Sequence, residues 1–346
     1  MTFATLVWTP ECIRILTGSA KFTANLAIAL EDRYWLGLFS DHFGQLYLRA
    51  AWGRQPFWVS RDGGIAFEPL NPVPGDGMPI PGYRCKVHPS TGVVTAMEGH
   101  TVWIHTAANR WWCRELPRDL HVRDISIDPK GGFWCAGSVD SQRIPGEETE
   151  AAVRYQSEPG APLQPRSPHL SSFDAAKVIA KGGLGELRTI DAEAHPVIAT
   201  SVCSWLLDDS SSFVFIFGPN RTHVRRLKGE MICFVDRPQS GTVRVFTCQG
   251  GVWQGSGPRL KRYSIVAPIR KSLGISERYI LVRGIDTRRE KMVVAVEVSP
   301  PGVYDCAQDP DFTAVCVSVN GGVSFEMVYR FTFSDGIEIQ DVAWLH

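Results

Sequence analysis

The chain has 346 residues, 44% of them hydrophobic, which is enough to bury a large core and excludes a chain that stays disordered. Lysine plus arginine equals aspartate plus glutamate, 36 of each, so there is no net field to hold a phosphate backbone or an anionic lipid surface. Nucleic acid and membrane are therefore not expected as partners.

At the amino end, MTFATLVWTPECIRILTG has no basic leader region and is interrupted by Pro10, Glu11 and Arg14, unlike a signal peptide. No apolar run approaches the roughly 20 residues of a membrane-spanning helix, and a cytosolic location is expected. The nine cysteines are odd in number, and Cys203, Cys233 and Cys316 sit inside apolar runs, as buried free thiols do. There is no CxxC or HExxH, and the histidines are scattered singly, so neither a metal nor a cofactor is expected.

In chain order, short apolar or alternating runs recur: YWLGLFS from Tyr34, QLYLRAAWG from Gln45, PFWVS from Pro56, GVVTAME from Gly92, TVWIHTA from Thr101 and RWWCREL from Arg110. ISIDPKGGFWCAGS, SFVFIFG, FTCQGGVWQGS, KMVVAVEVS and CVSVNGGVSFEMV continue the series, with PKGG, QGG and NGG as turn signals. RTHVRRLKGE, Arg221 to Glu230, reads as a strand whose charges guard a solvated sheet edge. Repetition at 40 to 50 residues predicts an all-β chain built as a β-propeller of four-stranded antiparallel sheets, seven blades within a range of six to eight. IEIQDVAWL, Ile337 to Leu345, is expected to complete a blade with the first strand.

The propeller is expected to fill residues 1–346 as one domain. Its rhythm breaks at about 156–172, where QSEPGAPLQPRSPHLSS carries four prolines and reads as a surface insertion. SSFDAAKVIAK, Ser171 to Lys181, is the expected short helix.

The octet SRDGGIAF, Ser60 to Phe67, returns 258 positions later (318 − 60 = 258) as SVNGGVSF, Ser318 to Phe325. It resembles the Asp box, the bacterial neuraminidase repeat. Ser60, Asp62, Gly64 and Phe67 occupy the four fixed positions. Ser318, Gly322 and Phe325 match in the second copy, where Asn320 replaces the aspartate and keeps the short acceptor for the turn. The resemblance implies a folding device at the hairpin between the third and fourth strands of a blade, in a degenerate, non-catalytic member of the Asp-box propellers.

Sialidases own this box, and QRIP, Gln142 to Pro145, invites comparison with their arginine motif. Arg143 follows the first octet instead of preceding it and lies beside GEETE, a poor setting for an arginine awaiting a carboxylate. KGGLGELR, Lys181 to Arg188, lacks the GK[ST] ending of a phosphate loop. Cys12, Cys85 and Cys113 are candidate nucleophiles without a sequence signal for a partner base. No catalytic residue is assigned.

Adjacent strand residues point to opposite faces, so one of Trp111 and Trp112 is expected either to be exposed, as a candidate partner contact, or to face a neighbouring blade edge. Arg166 and His169, in the proline-rich insertion, are the second candidate contact. The expected function is binding of another protein by a cytosolic, non-enzymatic propeller; related propellers with degenerate boxes imply an assembly or toxin-immunity role. The alternative is a glycoside hydrolase of sialidase-like type, with glycan bound in a central depression.

Overall fold

The computed structural model describes residues 3–9, 12–17, 21–26, 37–41, 43–50, 57–70, 85–88, 91–106, 110–127, 132–139, 150–157, 161–165, 187–188, 197–202, 211–217, 222–236, 242–256, 259–300 and 310–345. They form strands in chain order. The first sheet holds β1 (Phe3–Trp8), β2 (Ile13–Thr17) and β3 (Lys21–Leu26). The second holds β4 (Gly37–Ser40), β5 (Leu46–Arg49), β6 (Phe57–Ser60) and β7 (Glu68–Pro69), and the third β8 (Cys85–His88), β9 (Val93–Glu98), β10 (Thr101–Thr106) and β11 (Arg110–Glu115). The fourth holds β12 (Leu120–Ile127), β13 (Phe133–Val139), β14 (Glu150–Gln156) and β15 (Gln164–Pro165). The fifth holds β16 (Leu187–Arg188), β17 (Val197–Val202), β18 (Ser211–Phe217) and β19 (Thr222–Lys228). The sixth is β20 (Ile232–Asp236), β21 (Val243–Thr247), β22 (Gly251–Ser256) and β23 (Arg259–Ser264). After helix α1 (Val266–Leu273) comes the seventh, β24 (Tyr279–Arg288), β25 (Lys291–Ser299), β26 (Phe312–Ser318) and β27 (Glu326–Thr332).

The last strand, β28 (Glu338–Trp344), returns to the first sheet and pairs antiparallel with β1, from Phe3↔Trp344 to Trp8↔Glu338. The order there is β28-β1-β2-β3, so every sheet has four strands. This is the blade pattern of a seven-bladed β-propeller, and the expected pairing of the two terminal strands is present. The octets stand in the second and seventh sheets. Their 258 residues therefore span five sheet steps, roughly 52 residues each.

Two compact units can be distinguished: residues 1–96, 246–252 and 262–346, and residues 97–245 and 253–261. In the first, Phe3, Val293, Ala295, Val315, Tyr329, Ile339, Val342 and Trp344 make one core cluster, and Ala4, Leu6, Ile13, Ile15, Leu38, Leu46 and Leu48 contribute to another. The texture of β25 explains the depth of the former. In KMVVAVEVS every residue after Lys291 is buried, because this central strand is covered on both faces. The second unit holds Val214, Leu227, Val235, Val243, Val245 and Leu260 in a smaller cluster.

Several expectations shift in detail. Residues 171–181 lie outside the described residues, and the helix found is α1, VAPIRKSL. Its Pro268 falls in the first turn, where no intrahelical N–H is lost, and Gly274 caps it at φ 67°. Within the proline-rich stretch, Gln164–Pro165 pairs with Arg154 and Tyr155 as a two-residue edge strand, a place where proline removes no ladder bond. Two of the turn signals mark different corners: QGG joins β21 to β22, a second strand to a third, and NGG joins β26 to β27, a third to a fourth, while most of PKGG lies outside the described residues.

Candidate functional site

The two octets fold alike. Both connect a third to a fourth strand, β6 to β7 and β26 to β27. Gly64 N–H donates to Ser60 Oγ at 2.8 Å, and Gly322 N–H to Ser318 Oγ at 2.9 Å. Asp62 Oδ1 accepts from Ser60 Oγ, Ile65 N and Ala66 N at 2.7, 3.1 and 3.0 Å, while Asn320 Oδ1 accepts from Ser318 Oγ and Ser324 N at 3.0 Å each. Gly64 and Gly322 adopt φ of 95° and 86°, open only to glycine at low cost. Phe67 and Phe325 are half-buried beneath their turns, and Phe67 packs on the core shared by the first two sheets. These hydrogen bonds and packing contacts hold the two hairpins together.

Sequence reasoning missed a set of carboxylates on the first strands. Asp341 of β28 accepts Leu38 N–H of β4 on Oδ2 and Val342 N–H on Oδ1, both at 2.9 Å. Asp286 of β24 accepts Trp344 N–H at 2.9 Å and Ser40 Oγ–H at 3.2 Å on Oδ2, and Thr287 N–H at 2.7 Å on Oδ1. Trp344 returns its indole N–H to the Asp286 carbonyl at 3.1 Å. The two acids thus tie β24, β28 and β4 together. Gly284 makes the room: a Cβ there would lie 2.1 Å from Asp341 Oδ1.

Burial raises the Asp341 carboxyl to about 7, opposed by the Leu38 and Val342 N–H groups and by Arg49, and it raises Asp286 as well. Close by, buried Asp41 accepts Phe43 N, Gln45 N and Tyr47 Oη, each at 2.9 Å; burial and then Asp41 push the Tyr47 hydroxyl well above its ordinary range. His88, buried and bonded to Thr95 Oγ1 at 2.9 Å, is held well below the usual imidazole value by burial, so it is neutral at pH 7. Every one of these acids is engaged by backbone or side-chain donors of its own fold. The arrangement fastens strands.

The exposed surface gives a different picture. Trp112 is 43% exposed on β11, whereas Trp111 is half-buried with its ring centroid 5.0 Å from that of His105. Trp112 is thus the member of the pair that faces solvent. A denser group lies on the seventh sheet and was not anticipated: Val319 and Val323 on the octet turn, Met327 and Val328 on β27, and Phe333 just after it. Val323 is 76% exposed.

Arg143, Arg166 and His169 lie outside the described residues. Cys85 is buried and its thiol is pushed up to about 12, which removes it as a nucleophile at neutral pH. Cys12 accepts Arg14 Nε–H at 3.2 Å, and Cys113 is exposed. Of KGGLGELR only Leu187–Arg188 is described, and it forms β16. Among the described residues no group of three or more His, Cys, Asp and Glu is placed to hold a metal ion, and no helix is long and apolar enough to cross a membrane.

With this geometry in place, the class is that of a β-propeller. No family description matches the sequence, and no curated protein matches it. Solved structures do resemble it. YCF48 bound to D1 peptide is 11% identical with a TM-score of 0.45, over 89% of this chain and 95% of that one. YCF48 from Cyanidioschyzon merolae is 9% identical with a TM-score of 0.45, over 85% and 95%. Dihydro-heme d1 dehydrogenase NirN in complex with DHE is 12% identical with a TM-score of 0.48, over 96% of this chain and 73% of that one.

Proposed function

We propose that this chain is a non-enzymatic, cytosolic β-propeller of the Asp-box kind that binds another protein, with the β26–β27 hairpin as the contact surface. One observation carries the reading. Five of the nine large hydrophobic side chains exposed among the described residues fall within residues 319–333. Apolar surface concentrated in that way is costly to leave in water and is characteristic of a partner site. The paired octets support the Asp-box assignment, and the neutral charge and free thiols support a soluble role in a reducing compartment, of assembly or toxin-immunity type. A pull-down with tagged full-length chain tests it. Wild type should retain a stoichiometric protein that Val323→Glu with Met327→Lys releases while the melting temperature holds. Equal capture by both would refute the surface.

The glycosidase reading draws on Asp286 and Asp341, two acids whose carboxyl pKa burial raises. Their commitment to backbone N–H groups argues for fastening instead. Turnover of a fluorogenic sialoside, lost in Asp341→Asn, would reverse the ranking.

A further inference from the structure

Asparagine followed by glycine is the pairing at which a chain most readily modifies itself, because no side chain shields the glycine nitrogen from the neighbouring carboxamide. The chain has five asparagines, and Asn320 alone precedes a glycine, Gly321. Both stand in the turn of the second octet, where Asn320 is exposed and Gly321 takes φ of 71°. The fold restrains each reacting group. Gly321 N–H donates to the Glu290 carbonyl at 2.8 Å. The Asn320 carboxamide is directed at Ser324: Oδ1 accepts Ser324 N–H at 3.0 Å, and Nδ2–H donates to Ser324 Oγ at 2.8 Å. Ser318 Oγ–H adds a further bond, to Oδ1 at 3.0 Å. Ring closure needs the glycine nitrogen and the carboxamide carbon in near-attack geometry, so these bonds have to break first.

We propose that Asn320–Gly321 is a latent self-modification site, kept as asparagine by the closed hairpin and converted to aspartate and isoaspartate when the hairpin opens. The Gly321 nitrogen bonds to Asn320 Cγ, the Cγ–Nδ2 bond breaks, and ammonia leaves with the proton of the Gly321 amide. Water, the only co-reactant, then opens the cyclic imide. Attack at Cγ gives aspartate, and attack at the main-chain carbonyl carbon gives isoaspartate. Aspartate suits the turn, since the first octet holds Asp62 in the same place with Oδ1 accepting from Ser60 Oγ, Ile65 N and Ala66 N. Isoaspartate does not. It lengthens the main chain between Ser318 and Gly322, whose Oγ and N–H are joined at 2.9 Å. Either product sets a negative charge between the exposed Val319 and Val323. That it would thereby weaken a partner's hold rests on the proposed function; the conversion itself does not.

Peptide mapping by mass spectrometry, with isoaspartate-specific methyl labelling, tests the site on purified full-length chain held in mildly alkaline buffer with and without guanidinium. In guanidinium Asn320 should convert ahead of the other four asparagines, and Gly321→Ala should slow it. In the native chain it should stay intact over the same period. Ser324→Ala, and Ser318→Ala as the stronger lesion, should speed native conversion roughly 3- to 10-fold, because losing one such bond eases opening by about that factor. Native conversion as fast as in guanidinium, an unfolded chain in which Asn320 converts no faster than the other asparagines, or a folded Ser324→Ala that keeps the native wild-type rate would overturn the proposal. Conversion as described in a chain that captures no partner would sink the proposed function and leave this site standing, so the two failures are distinguishable.

Discussion

Ser60 and Ser318 take an N–H from the glycine four residues on, and the acceptor two residues on is Asp62 in one octet and Asn320 in the other. That difference has a pH signature. The Ala66 N–H, followed by the Ser60 hydroxyl, holds the Asp62 carboxyl below its ordinary range, so its contribution is present above the ordinary carboxylate pKa and is lost as pH falls through the lowered one. Asp62→Asn should flatten acid unfolding between pH 5 and pH 2, measured by circular dichroism, whereas no such slope comes from Asn320. Asp341 has the opposite sign. Its carboxyl, raised to about 7 by burial, holds a proton in the folded state that the unfolded chain has given up, so stability falls as pH climbs from about 4 to about 7. Asp341→Asn should gain on wild type across that window, and a gain at pH 4 equal to that at pH 8 would contradict it. Gly284→Ala drives a Cβ into the same carboxylate and should cost about 2 kcal/mol in urea unfolding, within the usual range for overpacking. The octets were legible because their contacts are four residues long. Asp341 and Leu38 are separated by 303 positions, and no local pattern announces such a bond.

At the scale of the element, β28 matters most. Trp344 is almost fully buried, packs edge-on against Phe3 at 6.1 Å between centroids, and bonds Asp286 twice. Trp344→Ala should cost about 3–5 kcal/mol, the range for a buried aromatic, and should expose β1 to hydrogen exchange ahead of β25. The strands themselves were readable from alternation and turn residues, down to the pairing of the two terminal ones. Helix α1 was not, because a proline in an eight-residue segment reads as a breaker unless its place in the first turn is known. The exposed hairpin was hidden for a related reason. FEMVYRFTF has the apolar texture of a buried strand, but the register shift opposite Val315 and Cys316 displaces Val328, so Met327 and Val328 both meet solvent.

For the whole molecule, seven similar sheets provide a scaffold whose chemistry is decided by the surfaces it presents. Lysines and arginines balance the acids, with a sequence pI near 7.1, so long-range steering is weak and the proposed contact would rest on apolar area. Partner capture should accordingly change little between 50 and 300 mM salt. The most direct measurement is hydrogen exchange of the full chain alone and with its captured partner. Slowed exchange concentrated in residues 319–333 is the result expected. Unchanged exchange there, with protection around Asp286 and Asp341 instead, would contradict it.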